Sequence, residues 1–230
     1  MEYPVSEVFT SPQGEGVYTG TMMTFVRLAG CTVGKRYPQE HYQANGGLLP
    51  IYTDQCTLYD GRTFPCDTDF RKKQMMTVSQ ICKQIPTGVK NVCITGGEPA
   101  MHKLDPLFQA LQESGYWIHI ETSGTIMLNP TSRVDERLWV TVSPKDKFLD
   151  AMIQRANELK LLVDQDFDYE KLPKVIKQHP RKYIQPINSE HCVDPENVKR
   201  CVDLQRRYPQ LRLSLQLHKV LSEYMKELVR

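Results

Sequence analysis

The stretch from Asn91 to Pro99, "NVCITGGEP", decides how the fold is read: a short apolar run stops abruptly at two glycines and a carboxylate. "NVCIT" has the β-branched, apolar character of a buried strand. Two glycines at a strand end let backbone groups approach a ligand closely, or else make a tight turn into the next helix. Thr95 and Glu98 add polar handles beside Gly97. Similar runs occur at 22–28, 117–121, 138–142, 159–163, 181–186 and 212–217. They read as strands apolar on both faces, as buried parallel strands are. Helical patterns fall between them. Thr77 with Gln80 forms a capping box that opens a helix over 77–85. Leu104, Leu107, Phe108 and Leu111 follow the spacing of one buried helix face. Asp194 followed by Pro195 is an N-cap with proline in the first helical position. The tail, 219–229, puts Val220, Tyr224 and Leu228 on one stripe. Strand–helix alternation predicts an α/β fold with a parallel sheet, open or partly closed.

In such folds ligands bind at the carboxyl ends of the strands. Polar signatures collect there: the Cys31 segment after 22–28, "TGGEP", "ETSG" (121–124), "SPK" (143–145), "QPIN" (185–188) and His218-Lys219. Glu121 and its neighbouring hydroxyls suit a ribose, and equally a hydroxyl-capped turn. Before the 22–28 strand lies "PQGEG", with Glu15 placed to accept from N–H donors. It lacks the basic residue and helix start of a phosphate-binding loop, which excludes nucleoside triphosphates. Arg27 sits in an otherwise apolar strand and needs an acidic partner. That partner is either a structural carboxylate or a substrate carboxylate gripped bidentately.

The 230 residues carry a net charge of +2, with 40% hydrophobic and 24% charged residues. This balance gives no case for a polyanionic partner. No apolar run reaches the roughly 18 residues of a membrane span. The first residues lack the basic and apolar regions of a secretory signal, so the cytoplasm is expected. Seven cysteines are then free thiols or metal ligands. Cys82 and Cys93 lie in apolar contexts and read as small buried hydrophobes; Cys192 and Cys201 carry no pairing signal. Cys31, Cys56 and Cys66 remain, separated by twenty-four and then nine residues. Structural zinc takes four ligands, and His41 makes a poor fourth. Three thiolates on a [4Fe–4S] cluster would leave one iron open to another ligand. Unrelated thiols are the third possibility.

Taken in order, "PQGEG", "FVRLAGC", "CDT", "TGGEP", "ETSG", "VTVSPK", "NELK", "QPI" and "LSLQLHK" resemble the 7-carboxy-7-deazaguanine synthases of the radical S-adenosylmethionine (SAM) superfamily. The resemblance runs from residue 2 to about 219, interrupted after Cys31. It implies a shortened, partly open radical-SAM (β/α) barrel with parallel strands. It also implies a [4Fe–4S] cluster whose open iron chelates SAM. Cleavage of SAM yields a 5′-deoxyadenosyl radical, which abstracts hydrogen from C6 of 6-carboxy-5,6,7,8-tetrahydropterin. Ring contraction with loss of ammonia then gives 7-carboxy-7-deazaguanine, a precursor of queuosine-type nucleosides. Magnesium assists. Cys31 and Cys66 match cluster ligands, and Thr68 matches the magnesium ligand. Gly97, Ser143, Pro144, Lys145, Gln185, Pro186, Ile187 and Asn188 match SAM contacts, and Glu98 and Glu121 are placed with them. Pro12, Gln13, Gly14, Arg27 and Thr95 match substrate contacts; Glu15 and His218 join that group.

Two departures stand out. The usual CxxxCxxC is absent: Lys35 and Thr63 stand where cysteines are expected, which leaves Cys56 as the third ligand. The chain also continues past Lys219, so no terminal contact is carried over. The expected organisation is one domain, 1–230, with a cluster-loop insertion at about 32–65 and a helical extension at about 219–230. The family also implies a homodimer and a reductant such as flavodoxin, with no direct nucleic-acid or membrane partner. Two other readings of these motifs are a different radical-SAM enzyme, such as a glycyl-radical activator, and a binding protein that kept the fold without the cluster.

Overall fold

A computed structural model of the chain describes residues 1–33, 55–66, 73–128, 137–189 and 192–222. Nine strands form one sheet in the order β11-β10-β9-β8-β7-β6-β2-β1-β5. Seven are mutually parallel: β2 (Met22–Leu28), β6 (Asn91–Gly96), β7 (Trp117–Thr122), β8 (Leu138–Val142), β9 (Glu158–Val163), β10 (Lys182–Pro186) and β11 (Leu211–Leu213). These are the seven strands expected from the apolar runs. At one edge β1 (Glu2–Pro12) pairs antiparallel with β2, and β5 (Gln74–Thr77) pairs antiparallel with β1. A separate short hairpin, β3 (Gln55–Thr57) with β4 (Thr63–Pro65), stands outside this sheet. Among the described residues the end strands β11 and β5 do not pair, so the barrel is open.

Helices α1 (Val78–Lys83), α2 (Asp105–Glu113), α3 (Asp150–Arg155), α4 (Lys174–Gln178) and α5 (Pro195–Arg207) lie along the chain between strands, and α6 (Leu217–Ser222) follows β11. Thr77 caps α1 in a reciprocal box with Gln80, and the Asp194 side chain accepts from Asn197 N–H to start α5. Leu107, Phe108 and Leu111 of α2, Ile153 of α3, Ile176 of α4 and Leu204 of α5 are buried. They share one core with Leu28, Val92, Ile94, Ile120, Val140, Leu161 and Ile184 of the strands. Each such side chain contributes about 1.5–3 kcal/mol by leaving water.

The main apolar core lies on that outer face, while the inner face mixes a smaller apolar cluster of Met23, Phe25 and Cys93 with polar and charged residues, which corrects the reading of both faces as apolar throughout. Period-2 alternation turns Arg27, Thr95, His119, Glu121, Thr141, Glu158, Lys160 and Gln185 to the inner face. Two further corrections concern the ends. The 212–217 run stays in the sheet only through Leu213, and His218 and Lys219 lie in the first turn of α6. Ser214 N–H still donates to Ile184 C=O of β10 (2.9 Å), while the Ser214 hydroxyl and the Gln216 side chain are engaged by the loop after β1. That loop, 13–21, is the β1–β2 hairpin turn. It starts at the far end of β2, yet it folds across the inner face. Gly14 C=O accepts from Leu217 N–H (3.1 Å) and Gly16 N–H donates to Ser214 Oγ (3.0 Å), joining the first strands to the last without a β-ladder.

Candidate active site

The rim at the carboxyl ends of the parallel strands is built by close backbone packing. Gly96 has φ +140°, and a Cβ there would lie 2.0 Å from the Leu28 carbonyl oxygen. A Cβ on Gly97 would lie 2.1 Å from the Gly30 oxygen and 2.7 Å from Cys31 Cβ. The adjacent glycines are therefore required by the neighbouring strand end, "LAGC", whose backbone passes against them. Glu98 N–H donates to Gly30 C=O at 2.9 Å, locking the two ends together. Cys31 is buried at this crossing.

Glu98 is fully buried and acts as a strut. Its carboxylate accepts from Thr122 Oγ1 (2.7 Å), Ser123 N–H (2.8 Å), the Ser123 hydroxyl and Ala100 N–H (2.9 Å). "TGGEP" is thereby tied to "ETSG". A hydroxyl chain, Ser123–Thr125–Thr32, returns to the residue after Cys31. Ser143 N–H donates to Thr122 C=O and Lys145 N–H to Ser123 C=O, so "SPK" continues the same interlocked edge.

Cys56 and Cys66 arrive on the β3–β4 hairpin. Cys56 pairs across from Phe64, two residues before Cys66. In that register the two cysteines are diagonal neighbours on one face. The hairpin docks on the rim: Leu58 bridges to Lys145, and Asp146 N–H donates to Thr57 C=O (3.1 Å). Lys145 is the common neighbour. Its ammonium lies 5.2 Å from the centre of the Phe64 ring and donates to Ser143 Oγ at 2.9 Å. Burial lowers its pKa; Cys56 opposes this, as do Cys66 and Cys31, while Lys160 adds to it. The hairpin thus brings its two cysteines to the rim at Lys145, and none of the three cysteines is in a disulfide. Among the described residues no three His, Cys, Asp or Glu side chains are drawn into a metal-binding group.

Below the rim, a polar network fills the inner face. Lys160, on β9, pairs with Glu15 and lies 3.7 Å from Glu121. Glu15 also accepts from Gln185 Nε2 (3.1 Å) and Gln216 Nε2 (3.0 Å), and Asn188 donates to Gln216. Glu121 accepts from Gln13 Nε2 (3.1 Å) and Thr95 Oγ1 (3.4 Å). Burial alone would raise the Glu15 carboxyl, but Lys160 and the donated hydrogen bonds bring it down to about 2. Burial alone would lower Lys160, and Glu121, Glu15 and Glu158 reverse that and raise it. Gly14 lies against His218: a Cβ there would be 3.1 Å from His218 Nδ1. Arg27 Nε donates to Glu7 at 2.7 Å, so the partner seen is a structural carboxylate on β1.

The structure thus brings Gln13, Glu15, Thr95, Glu121, Gln185 and Asn188 into one network, while Cys31, Gly97, Glu98, Ser143 and Lys145 form the adjoining rim. Pro12 ends β1, and Pro186 and Ile187 close β10. Thr68 lies outside the described residues. Sequence reasoning missed Lys160 and Glu158, although "NELK" holds two charges in alternation inside a strand. It also missed Arg62, whose short turn offers no periodic signal.

No family model matches the chain. It is 35% identical over 229 residues to the 7-carboxy-7-deazaguanine synthase of Synechocystis sp., covering 96% of this chain and 94% of that protein. It is 32% identical to the enzymes of that name from Buchnera aphidicola and Escherichia coli K12, covering 96% of this chain and 99% of each. The crystal structure of QueE from Escherichia coli superposes with a TM-score of 0.67 at 31% identity, over 94% of both chains.

Proposed function

The chain belongs to the 7-carboxy-7-deazaguanine synthase family, and from that premise we propose that it contracts 6-carboxy-5,6,7,8-tetrahydropterin to 7-carboxy-7-deazaguanine with release of ammonia. One observation carries the reading at the level of residues: the β3–β4 hairpin that bears Cys56 and Cys66 docks through Thr57 and Leu58 on the Lys145–Asp146 segment of the rim at which Cys31 is buried. Three thiols in no disulfide, beside a cation, have the donor chemistry of a three-thiolate [4Fe–4S] site. In this proposal Cys31, Cys56 and Cys66 hold the cluster, with Cys56 in place of the missing family cysteine. Bound together, the cluster and SAM supply the hydrogen-abstracting radical chemistry.

The chain's own residues bind and orient. Gly97, Ser143, Pro144, Lys145 and the 185–188 segment line the SAM side. Glu98 acts from behind, holding the rim in shape. Gln13, Glu15, Thr95 and His218 face the substrate side, and Glu121, read as a SAM contact, borders them through its bonds from Gln13 and Thr95. Their carboxylates and amides suit the N–H groups of a pterin. Arg27 holds the substrate carboxylate, which must compete with Glu7 for the guanidinium. Magnesium on Thr68 rests on the "CDT" match alone. Residues 1–230 act as one domain carrying an inserted cluster loop, in a cytoplasmic homodimer fed by a flavodoxin-type reductant.

The test is anaerobic turnover of reconstituted protein with SAM, dithionite and the carboxytetrahydropterin. The deazaguanine and 5′-deoxyadenosine should form together. Deoxyadenosine appearing only with another substrate would overturn the assignment. Cys56→Ala should lose the cluster, and full iron retention would remove Cys56 from the ligand set.

A further inference from the structure

A hairpin with two three-residue strands is marginal by itself. The β3–β4 hairpin must therefore be held in place by what it touches. Leu58, 1% exposed, seats it against the loop after β8, where it bridges to Lys145. That contact, the Asp146 N–H bond to Thr57 C=O and the Lys145 ammonium over the Phe64 ring all hold the hairpin to this one loop. A second tether comes from the turn. Gly61, at φ +84°, brings Arg62 back beneath Leu58, whose N–H donates to the Arg62 carbonyl at 2.8 Å. The Arg62 side chain is 15% exposed. Its Nε donates to Asp60 at 2.7 Å, its Nη1 pairs with Asp164, and its guanidinium lies 5.6 Å from the Phe167 ring centre. Asp164 follows directly on β9, one strand beyond the loop that holds Leu58.

We propose that Arg62 is a positioning residue: it pins the turn of the hairpin to Asp164 at the end of β9 and so sets where Cys56 and Cys66 stand relative to Cys31. Two anchors on neighbouring strand ends stop the hairpin from pivoting. Cys56 and Cys66 lie at its open end, so freeing the turn moves both thiols together. This rests on the reading of Cys56 and Cys66 as cluster ligands.

The experiment compares the native full chain with Arg62→Gln, Arg62→Lys, Asp164→Asn and Cys56→Ser. In cluster-free protein, Cys56–Cys66 cross-linking by dibromobimane, mapped by peptide, should fall at least threefold in Arg62→Gln and recover in Arg62→Lys. After reconstitution, the change in the cluster's paramagnetic resonance signal on adding SAM should fall by a similar factor in Arg62→Gln. The melting temperature of the cluster-free protein should move by only a few degrees. If Arg62→Gln does not fold, Asp164→Asn, which weakens the same pair from the β9 side, decides. Native-level cross-linking and an unchanged resonance signal in the folded variant would overturn the proposal. Cys56→Ser separates the two claims: a full cluster in that variant ends the ligand reading, while the cross-linking result still decides the clamp.

Discussion

The inner face of the sheet has two halves with different chemistry. Toward the amino ends of the parallel strands lies a floor of sulfur and rings. Met23, Phe25 and Cys93 are buried there with Phe9 and Tyr18 against them. Tyr18 meets His119 and Trp139 edge-on at 4.6 and 5.0 Å. Toward the carboxyl ends of β6 and β7, Glu15 and Glu121, joined by Glu158 from the start of β9, stand around the Lys160 ammonium beneath a rim of glycines and hydroxyls. The strands are the same and so is the side-chain parity, yet the environment changes within about two residues. The floor is satisfied by packing. The upper half is satisfied by charge pairing together with amide and hydroxyl hydrogen bonds, and those partners are what a polar ligand can exchange for.

The sharpest way to break this contrast is at the rim. Gly96→Ala places a Cβ against the Leu28 backbone in a conformation that L side chains rarely adopt. The two strand ends must separate, at a loss beyond about 4 kcal/mol. Failure to fold, or a large drop in melting temperature, is the expected result; a variant as stable as the native chain would show that the rim is not backbone-packed.

Lys160→Met is next. It leaves Glu15 buried with amide donors only, and breaking a buried pair from one side costs about 3 kcal/mol or more. The sign with pH is definite. With Lys160 present, the Glu15 carboxyl titrates at about 2, below its ordinary 4.5, so its contribution holds above 4.5 and fades as pH falls toward 2. Without Lys160, desolvation prevails and acid destabilisation begins at higher pH. Chemical denaturation across pH 3–7 reads both effects. Glu98→Gln follows with a smaller loss of about 1–3 kcal/mol, because its amide would face the Ser123 N–H and hydroxyl with donors.

Much of this architecture was legible in the sequence, and the failures have physical causes. Seven apolar runs became seven parallel strands because strands covered by helices must be apolar at least every second residue. The next-to-edge strand β1 is hidden by Pro4 and by alternating polar residues, which resemble a loop when only one face is buried. The β3–β4 hairpin is too short to leave a periodic trace. In "ELKLLV" the apolar residues dominate the pattern, and the two inward charges, Glu158 and Lys160, are hidden by them. That alternation is the signal that could have located Lys160. The strand-end glycines read equally as ligand approach or a tight turn, whereas the neighbour that requires them is the backbone leading to Cys31.

The floor gives the smallest and most selective effect. His119 is 5% exposed and its Nε2 lies 3.1 Å from Asn91 Oδ1. Burial pushes its pKa down from the ordinary 6.5 to about 4, so the folded protein holds it neutral at pH 7. The unfolded chain takes up the proton first. Its contribution is therefore complete above about 6.5 and is lost as pH falls toward 4, by on the order of 3 kcal/mol at most. His119→Gln removes the titrating group while keeping an amide that can reach Asn91. At pH 7.5 the variant should be slightly less stable through poorer packing on Tyr18. Near pH 4.5 the gap should close or reverse. A gap that stays constant from pH 7.5 to 4.5 would mean that the floor is wetter than the rim above it, and would invert the contrast between the two halves.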